Sequence, residues 1–263
     1  MSMIEVMDRD SVRWITFNRP EKLNTFRDED LRAVIDALSV AKDDFGAVVF
    51  RGAKGNFSAG SYVDQFSGFD SKTSMKHVRL VADFLEAIRR VQVPTVASIE
   101  GYCLGLGFDV AAVSDLRVAG SSAMLGMPEI NVGIPSIMDA SLLQQHVGLS
   151  RAKEMLLSGE MYTASKLAEW GFINYLTTDG AVDDRADQLA NSMADKSPVA
   201  MAAQKRLFEN WLQLPHREGV DASLMEYALT YADPRTEDWI RKYRETMKAR
   251  KAGKSTDGGT NDG

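Results

Sequence analysis

The sequence predicts an α/β fold followed by a helical C-terminal region. Short apolar runs typical of buried strands alternate with amphipathic stretches over the first two thirds of the chain. Glycine and polar residues gather where those runs end, and from Asp183 onward the pattern is helical. We therefore predict a core over residues 1–195 and a helical region over 196–250. Residues 251–263, which have no apolar side chain beyond Ala252, are expected to form a disordered tail.

The elements follow from local patterns in chain order. Apolar runs predict strands at 12–17 (VRWITF), 47–52 (AVVFRG), 95–100 (TVASIE), 116–120 (LRVAG) and 172–176 (FINYL). Apolar residues at helical spacing predict helices at 28–42, behind an acidic first turn, at 73–91 and at 108–115. The segments 18–26 (NRPEKLNTF) and 55–62 (GNFSAGSY) are predicted to be a loop and a turn.

Composition restricts the class of protein. With 263 residues the chain is long enough to bury a large core, and its net charge of −6 disfavours a nucleic-acid binder. The single cysteine, Cys103, excludes an intrachain disulfide framework and lies in an apolar stretch typical of a buried structural thiol. We find no apolar run of the roughly 18 residues that a membrane span needs, and no signal-peptide pattern, so we expect a cytoplasmic protein.

Two glycine-containing turns are candidate anion sites. In "NFSAGSYVD", Gly60 permits a tight turn that can direct the backbone N–H of Ser61 into a cleft, although an ordinary strand-to-helix turn also fits. In "GYCLGLGFDV", glycines lead into an apolar helix whose first N–H groups are unpaired, a place where an oxyanion is stabilised. Neither the P-loop lysine nor the complete dinucleotide-binding glycine pattern is present.

Two carboxylates flank this region. Asp109 is either a first-turn acid that complements the helix dipole or a reacting group, and Glu129 in "GMPEINVGIP" is either a surface acid or its partner. Two carboxylates in a partly apolar cleft can divide acid and base work around a water molecule. We expect Glu129 to precede a strand-like segment. The three histidines, His77, His146 and His216, match no motif and are expected at the surface or at an interface.

Taken in order, "NRPEKLN", "FSAGSYVD", "GLGFDVAAVSDLRVA" and "PEINVGIP" resemble the enoyl-CoA hydratase/isomerase (crotonase) superfamily. The resemblance continues to "SPVAMAAQKRLF" and covers about residues 4–250. It implies a spiral of ββα units with a C-terminal helical trimerisation region, assembled as a homotrimer or as a hexamer of paired trimers. It also implies an enzyme of acyl-CoA and fatty acid metabolism that stabilises a thioester enolate.

The resemblance assigns roles by position. The oxyanion hole would use the amides of Ser61 and Leu106, and the acid and base would be Glu129 and Asp109. The remaining substrate contacts would come from Lys22, Leu23, Asn24, Ala59, Tyr62, Val63, Gly105 and Tyr243. The implied partner is an acyl-CoA thioester, and no metal or other cofactor is implied. The implied activity is that of a lyase, an enoyl-CoA hydratase.

Three departures from the family pattern keep alternatives open. Asp109 is one methylene shorter than the usual Glu, Leu106 replaces a glycine and should place a branched side chain near the acyl group, and Tyr62 stands where Asp is usual. Double-bond isomerisation and thioester or C–C hydrolysis therefore remain alternatives, as does a non-catalytic acyl-CoA-binding protein of this fold. Asp139 is either an extra polar group at the cleft or a helix-start acid.

Overall fold

The computed structural model describes residues 3–39 and 45–256. The chain divides into two compact units, Met1–Asp195 and Lys196–Gly263. Within the described residues, no helix combines the length and apolar character that crossing a bilayer requires.

The first unit contains two sheets. The strands are β1 (Ile4–Arg9), β2 (Val12–Phe17), β3 (Ala47–Gly52), β4 (Thr95–Ile99), β5 (Tyr102–Leu104), β6 (Leu116–Gly120), β7 (Met124–Gly126), β8 (Met161–Thr163) and β9 (Tyr175–Thr177). The larger sheet has the order β1-β2-β3-β4-β6-β9, in which β1 and β2 are antiparallel and the other pairs are parallel. The smaller sheet has the order β5-β7-β8.

Strand β2 illustrates why the apolar runs become inner strands. All six of its residues are buried, because helices cover both faces of a largely parallel sheet. Ile15 and Phe17 pack into one hydrophobic cluster, while Val12 and Trp14 pack into a second cluster on the opposite face. The alternation along one strand thus contributes to two cores.

Helices cover these faces. They are α1 (Asp28–Ser39), α2 (Ser71–Arg90), α3 (Leu106–Val113), α4 (Leu143–Ser158), α5 (Ala164–Glu169) and α6 (Val182–Ala194). The predicted helix over 28–42 is confirmed as far as Ser39, and residues 40–44 lie outside the described part of the chain. Every residue of α3 is buried, as the apolar sequence predicted.

Several elements differ from the predictions. Strand β1 was not predicted: half of its residues are polar, so it shows no continuous apolar run, and five of its six residues are exposed. Strands β5, β7 and β8 have three residues each, too few to give a periodic signal. The predicted strand-like segment after Glu129 is wrong: Pro128–Val132 is a 3-10 turn that ends at Gly133 in a left-handed conformation.

The second unit consists of helices α7 (Pro198–Gln213), α8 (His216–Thr230) and α9 (Arg235–Thr256). Helix α9 extends into the first part of the predicted tail and ends at Thr256. The rest of that tail, 257–263, lies outside the described residues. Helix α8 exposes Leu224, Met225 and Tyr227, each about two thirds exposed (65%, 65% and 67%).

Candidate active site

Backbone pairing brings the two glycine turns together. The amide of Ser58 donates to the carbonyl of Tyr102 at 2.9 Å, and the amide of Leu104 donates to the carbonyl of Ser58 at 2.9 Å. A β-carbon on Gly107 would lie 2.6 Å from the Ser58 carbonyl oxygen, so only glycine allows this close approach. The "FSAG" turn therefore lies directly against the start of α3.

The two predicted oxyanion donors lie at this junction. A β-carbon placed on Gly60 would be 3.1 Å from the amide nitrogen of Leu106 and 3.5 Å from the Cα of Gly105. Ser61, which follows Gly60, pairs with Phe26 through its neighbours: the Phe26 amide donates to the Gly60 carbonyl, and the Tyr62 amide donates to the Phe26 carbonyl. Within the part of the chain described, neither the Ser61 amide nor the Leu106 amide donates to a protein acceptor. Two N–H groups without a protein acceptor on adjoining turns are available to a ligand oxygen, which is one requirement of an oxyanion hole.

The side chain of Leu106 packs into the protein. It is 6% exposed and belongs to the hydrophobic core of the first unit. Core packing therefore holds this side chain, and its expected place near the acyl group stays a prediction. Its amide is the part that remains for a ligand.

Glu129 lies beside these turns. It is the second residue of the 3-10 turn Pro128–Val132 and is half-buried. A β-carbon on Gly105 would be 2.8 Å from its Oε1 atom, which places that oxygen against the oxyanion turn. Its other oxygen, Oε2, accepts a hydrogen bond of 2.7 Å from the hydroxyl of Ser136.

Asp109 is more deeply buried than an acid that only complements a helix dipole. It is 6% exposed, and its Oδ1 atom has no hydrogen-bond partner among the residues that the structure describes. Burial raises the pKa of its carboxyl well above the ordinary value, and the charges of Glu129 and Asp139 raise it further. Asp109 is thus held as a neutral carboxylic acid over part of the pH range in which an exposed aspartate is ionised.

Asp139 is paired with a cation. Its Oδ1 accepts a hydrogen bond of 2.9 Å from Arg89, which also pairs with Glu86. Burial raises the pKa of the Asp139 carboxyl, and the Arg89 charge opposes that rise. Met138, the preceding residue, has a left-handed backbone (φ 58°), a strained conformation for a residue with a side chain. Asp139 therefore does more than start a helix, because its side chain forms a buried ion pair with Arg89.

In the predicted coenzyme A loop, the side chain of Asn24 is hydrogen-bonded to neighbouring backbone. The Asn24 side chain donates to the carbonyls of Ala53 and Asn56 at 2.9 and 2.6 Å and accepts from the Arg19 amide at 3.0 Å. These hydrogen bonds tie the Asn24 side chain to neighbouring backbone, and its predicted contact with the ligand stays a prediction. Leu23, by contrast, has a left-handed backbone (φ 50°) and an exposed side chain.

Tyr62, another predicted substrate contact, lies next to two cations. The ring of Tyr62 lies 4.5 Å from the Arg27 guanidinium and 5.8 Å from the Lys22 ammonium. Tyr62 thus contacts two cations of the preceding segment, and its predicted contact with substrate stays a prediction. Val63 follows it at 60% exposure, and the Ala59 amide donates to the Leu23 carbonyl at 2.9 Å.

Other residues considered from sequence have simpler outcomes. Cys103 is a free, buried thiol, as predicted, and burial raises its pKa well above the ordinary value. His77, expected on the surface, is 8% exposed and contacts an Asp28 oxygen at 2.7 Å. Tyr243 is exposed on α9, and its predicted contact with substrate stays a prediction.

Residues 8–253 match the enoyl-CoA hydratase/isomerase family. The chain belongs to this family. The predicted resemblance is confirmed, and it extends across both units.

Two relatives with hydratase names illustrate the match. The chain is 29% identical over 241 residues to 2,3-dehydroadipyl-CoA hydratase of Escherichia coli, covering 90% of this chain and 92% of that protein. It is 31% identical over 192 residues to the probable enoyl-CoA hydratase EchA17 of Mycobacterium tuberculosis, covering 73% and 74% of the two chains.

Solved structures confirm the fold class. An enoyl-CoA hydratase from Thermoplasma volcanium superposes with a TM-score of 0.86 at 25% identity, covering 92% of this chain and 98% of that one. Pseudomonas aeruginosa DspI superposes with a TM-score of 0.89 at 24% identity, covering 94% and 95%. The second likeness shows the fold alone.

Ser136 was missed by the sequence reasoning. It lies in the run "GIPSIM", where one hydroxyl among apolar residues is the only local signal. Arg89 was missed as well, because its pairing with Asp139 joins residues 50 positions apart.

Proposed function

We propose that this protein is an enoyl-CoA hydratase, a lyase that adds water across the double bond of a 2-enoyl-CoA thioester. One observation carries the proposal: the unpaired amides of Ser61 and Leu106 adjoin the turn against which Glu129 Oε1 lies. The hydratase names of its relatives support the same assignment.

The two amides account for enolate stabilisation. Both N–H groups would donate to the thioester carbonyl oxygen, which gains negative charge as water attacks C3. Because they are fixed by the backbone, they need no reorganisation during the reaction, and removing one such donor typically costs about a hundredfold to a thousandfold in rate.

Glu129 and Asp109 would divide the remaining work. The Glu129 carboxylate takes a proton from water as the water oxygen bonds to C3, and the π electrons move through C2 to the carbonyl oxygen. The protonated Glu129 then delivers that proton to C2 as the carbonyl re-forms, so water has been added with no change in oxidation state. Asp109, with its unpartnered Oδ1, would accept a hydrogen bond from the attacking water.

The test is turnover of crotonyl-CoA and longer 2-enoyl-CoA thioesters, followed by loss of the conjugated thioester absorbance. We expect wild-type turnover and a loss of at least about a hundredfold in kcat for Glu129→Gln, because general acid-base catalysis contributes on that scale. Glu160→Gln, which changes an exposed glutamate of the same unit, is the matched control and should retain wild-type activity.

The alternatives give different results in the same assay. Isomerisation moves the double bond of a 3-enoyl-CoA into conjugation without consuming water, and hydrolysis releases free coenzyme A thiol. A non-catalytic binding protein would show no turnover, so Glu129→Gln would change nothing in the assay. Any of these outcomes in place of hydration contradicts the proposal.

The coenzyme A nucleotide would lie along the loop that contains Lys22 and Leu23. Lys22 and Arg27, which both lie near the ring of Tyr62, provide positive charge for phosphate groups on a chain whose net charge is −6. We propose no further cofactor, because hydration changes no oxidation state, Glu129 would carry the proton, and coenzyme A enters as part of the substrate.

We further propose a cytoplasmic homotrimer or a hexamer made of two trimers. The exposed Leu224, Met225 and Tyr227 of α8 form an apolar surface of the kind that marks protein contacts. Light scattering at micromolar concentration should give a mass three or six times the 29.0 kDa of one chain, and a monomer would contradict this assembly.

A further inference from the structure

The chain doubles back directly after Glu129. Gly133 takes a left-handed backbone (φ 83°), and the Ile134 amide donates to the Glu129 carbonyl at 3.3 Å. Pro135 follows, and its fixed φ limits the conformations open to this return segment. Ser136, seven residues after the glutamate, is thereby brought back onto its side chain.

The two oxygens of the Glu129 carboxylate have different surroundings. Oε2 accepts the 2.7 Å hydrogen bond from the Ser136 hydroxyl, while Oε1 lies where a β-carbon on Gly105 would be only 2.8 Å away. The terminal torsion of a glutamate side chain is broad, so the carboxylate plane is not fixed by rotamer preference. A hydrogen bond to one oxygen fixes that plane and thereby determines where the other oxygen lies.

We propose that Ser136 is a positioning residue: its hydroxyl anchors Glu129 Oε2 so that Oε1 is the oxygen that exchanges protons with water and C2. This rests on the proposed function of the same site. A general base must lie within hydrogen-bond reach of its proton, and a displacement of about 1 Å can cost about a hundredfold in rate. Ser136 therefore acts through Glu129 and needs no contact with substrate.

Three variants test the inference. Ser136→Ala removes the hydroxyl, Ser136→Thr keeps it, and Ser141→Ala removes an exposed serine five residues further along as a control. We expect Ser136→Ala to lower kcat about tenfold to a hundredfold, which is the rate effect of losing one hydrogen bond to a charged group. KM should stay within about twofold of the wild-type value, because Ser136 does not contact substrate. Ser136→Thr should recover most of the loss, and Ser141→Ala should match the wild type.

A merely structural serine would give a different pattern. Thermal unfolding of each variant separates loss of folding from loss of positioning. If Ser136→Ala keeps wild-type kcat, or if Ser136→Thr fails as badly as Ser136→Ala while remaining folded, the inference is wrong. The proposed function is judged separately, by wild-type turnover and its loss in Glu129→Gln.

Crystal structures provide a readout that does not depend on the reaction. In Ser136→Ala, we expect the Glu129 carboxylate to leave its place beside Gly105 or to occupy several orientations. Retention of the wild-type orientation would overturn the inference even if the enzyme proved to catalyse a different reaction, and loss of that orientation would support it in either case.

Discussion

Replacing Asp109 by asparagine should stabilise the protein while impairing catalysis. The carboxyl is 6% exposed, its Oδ1 has no partner within the described chain, and burial together with the charges of Glu129 and Asp139 raises its pKa well above the ordinary value. Asparagine has nearly the same shape and carries no charge. The fold then no longer has to accommodate a buried carboxylate.

The sign and size follow from proton linkage. Between the ordinary pKa of 3.8 and the raised value in the folded state, folded Asp109 retains a proton that the unfolded chain releases. The contribution of Asp109 to wild-type stability therefore declines as pH rises through that interval, by up to about 1.4 kcal/mol per pH unit. The asparagine side chain does not titrate, so the advantage of the variant should grow with pH. In a protein of this size, each kcal/mol corresponds to about 2–4 °C in Tm.

Thermal unfolding at pH 4.5 and pH 8 measures this difference. We expect the Tm of Asp109→Asn relative to wild type to be at least about 2 °C more favourable at pH 8 than at pH 4.5. The exposed carboxylate Asp36, changed to asparagine, is the control and should show no such trend. A pH-independent difference, or an advantage that shrinks as pH rises, would refute the assignment of a raised pKa. The same variant should lose at least about tenfold in hydration rate.

Three further predictions concern the surroundings of the site. Gly105→Ala should reduce kcat and stability together, because the added β-carbon would lie 2.8 Å from a carboxylate oxygen of Glu129. Gly55→Ala is the control: with φ of 75° and no atom within 4 Å, it should cost only about 1–2 kcal/mol of stability in denaturant titrations. Equal kcat values for the two variants would contradict this. Arg89→Met should lower the free energy of unfolding by about 3 kcal/mol, because it leaves Asp139 buried and unpaired. Adding Asp139→Leu should recover most of that loss, and no recovery in urea titrations would argue against the ion pair. Burial and the charge of Arg117 lower the pKa of His146 to about 4, so the contribution of His146 to stability should fall as pH drops from 6.5 to 4. Relative to wild type, His146→Gln should therefore gain up to about 3 kcal/mol over that interval, and a stability difference that does not change between pH 6.5 and pH 4 would exclude this.

Local sequence was sufficient for the inner part of the fold. The strands β2, β3, β4 and β6 were predicted because each is a short apolar run, and in the structure nearly all of their residues are buried. The exposed strand β1 and the three-residue strands of the smaller sheet were missed, since none of them has the longer apolar run by which the inner strands were predicted.

For the site, the order of the motifs predicted which residues to consider, but not their protonation or their hydrogen-bond partners. Asp109 and Glu129 were named from sequence, yet the protonation of Asp109 depends on burial and on carboxylates 20 and 30 positions away. Ser136 could not be assigned, because its role exists only once the chain reverses over Gly133.

The sequence by itself determined the α/β class, the family and the identity of the amides and acids at the site. Those properties reside in residue order, local periodicity and glycine placement. Only the tertiary structure decided that the Ser61 and Leu106 amides have no acceptor in the described chain, that Asp109 is desolvated and that Ser136 holds one oxygen of Glu129. Hydrogen bonding and desolvation depend on which distant atoms share a space, and a linear sequence does not specify that directly.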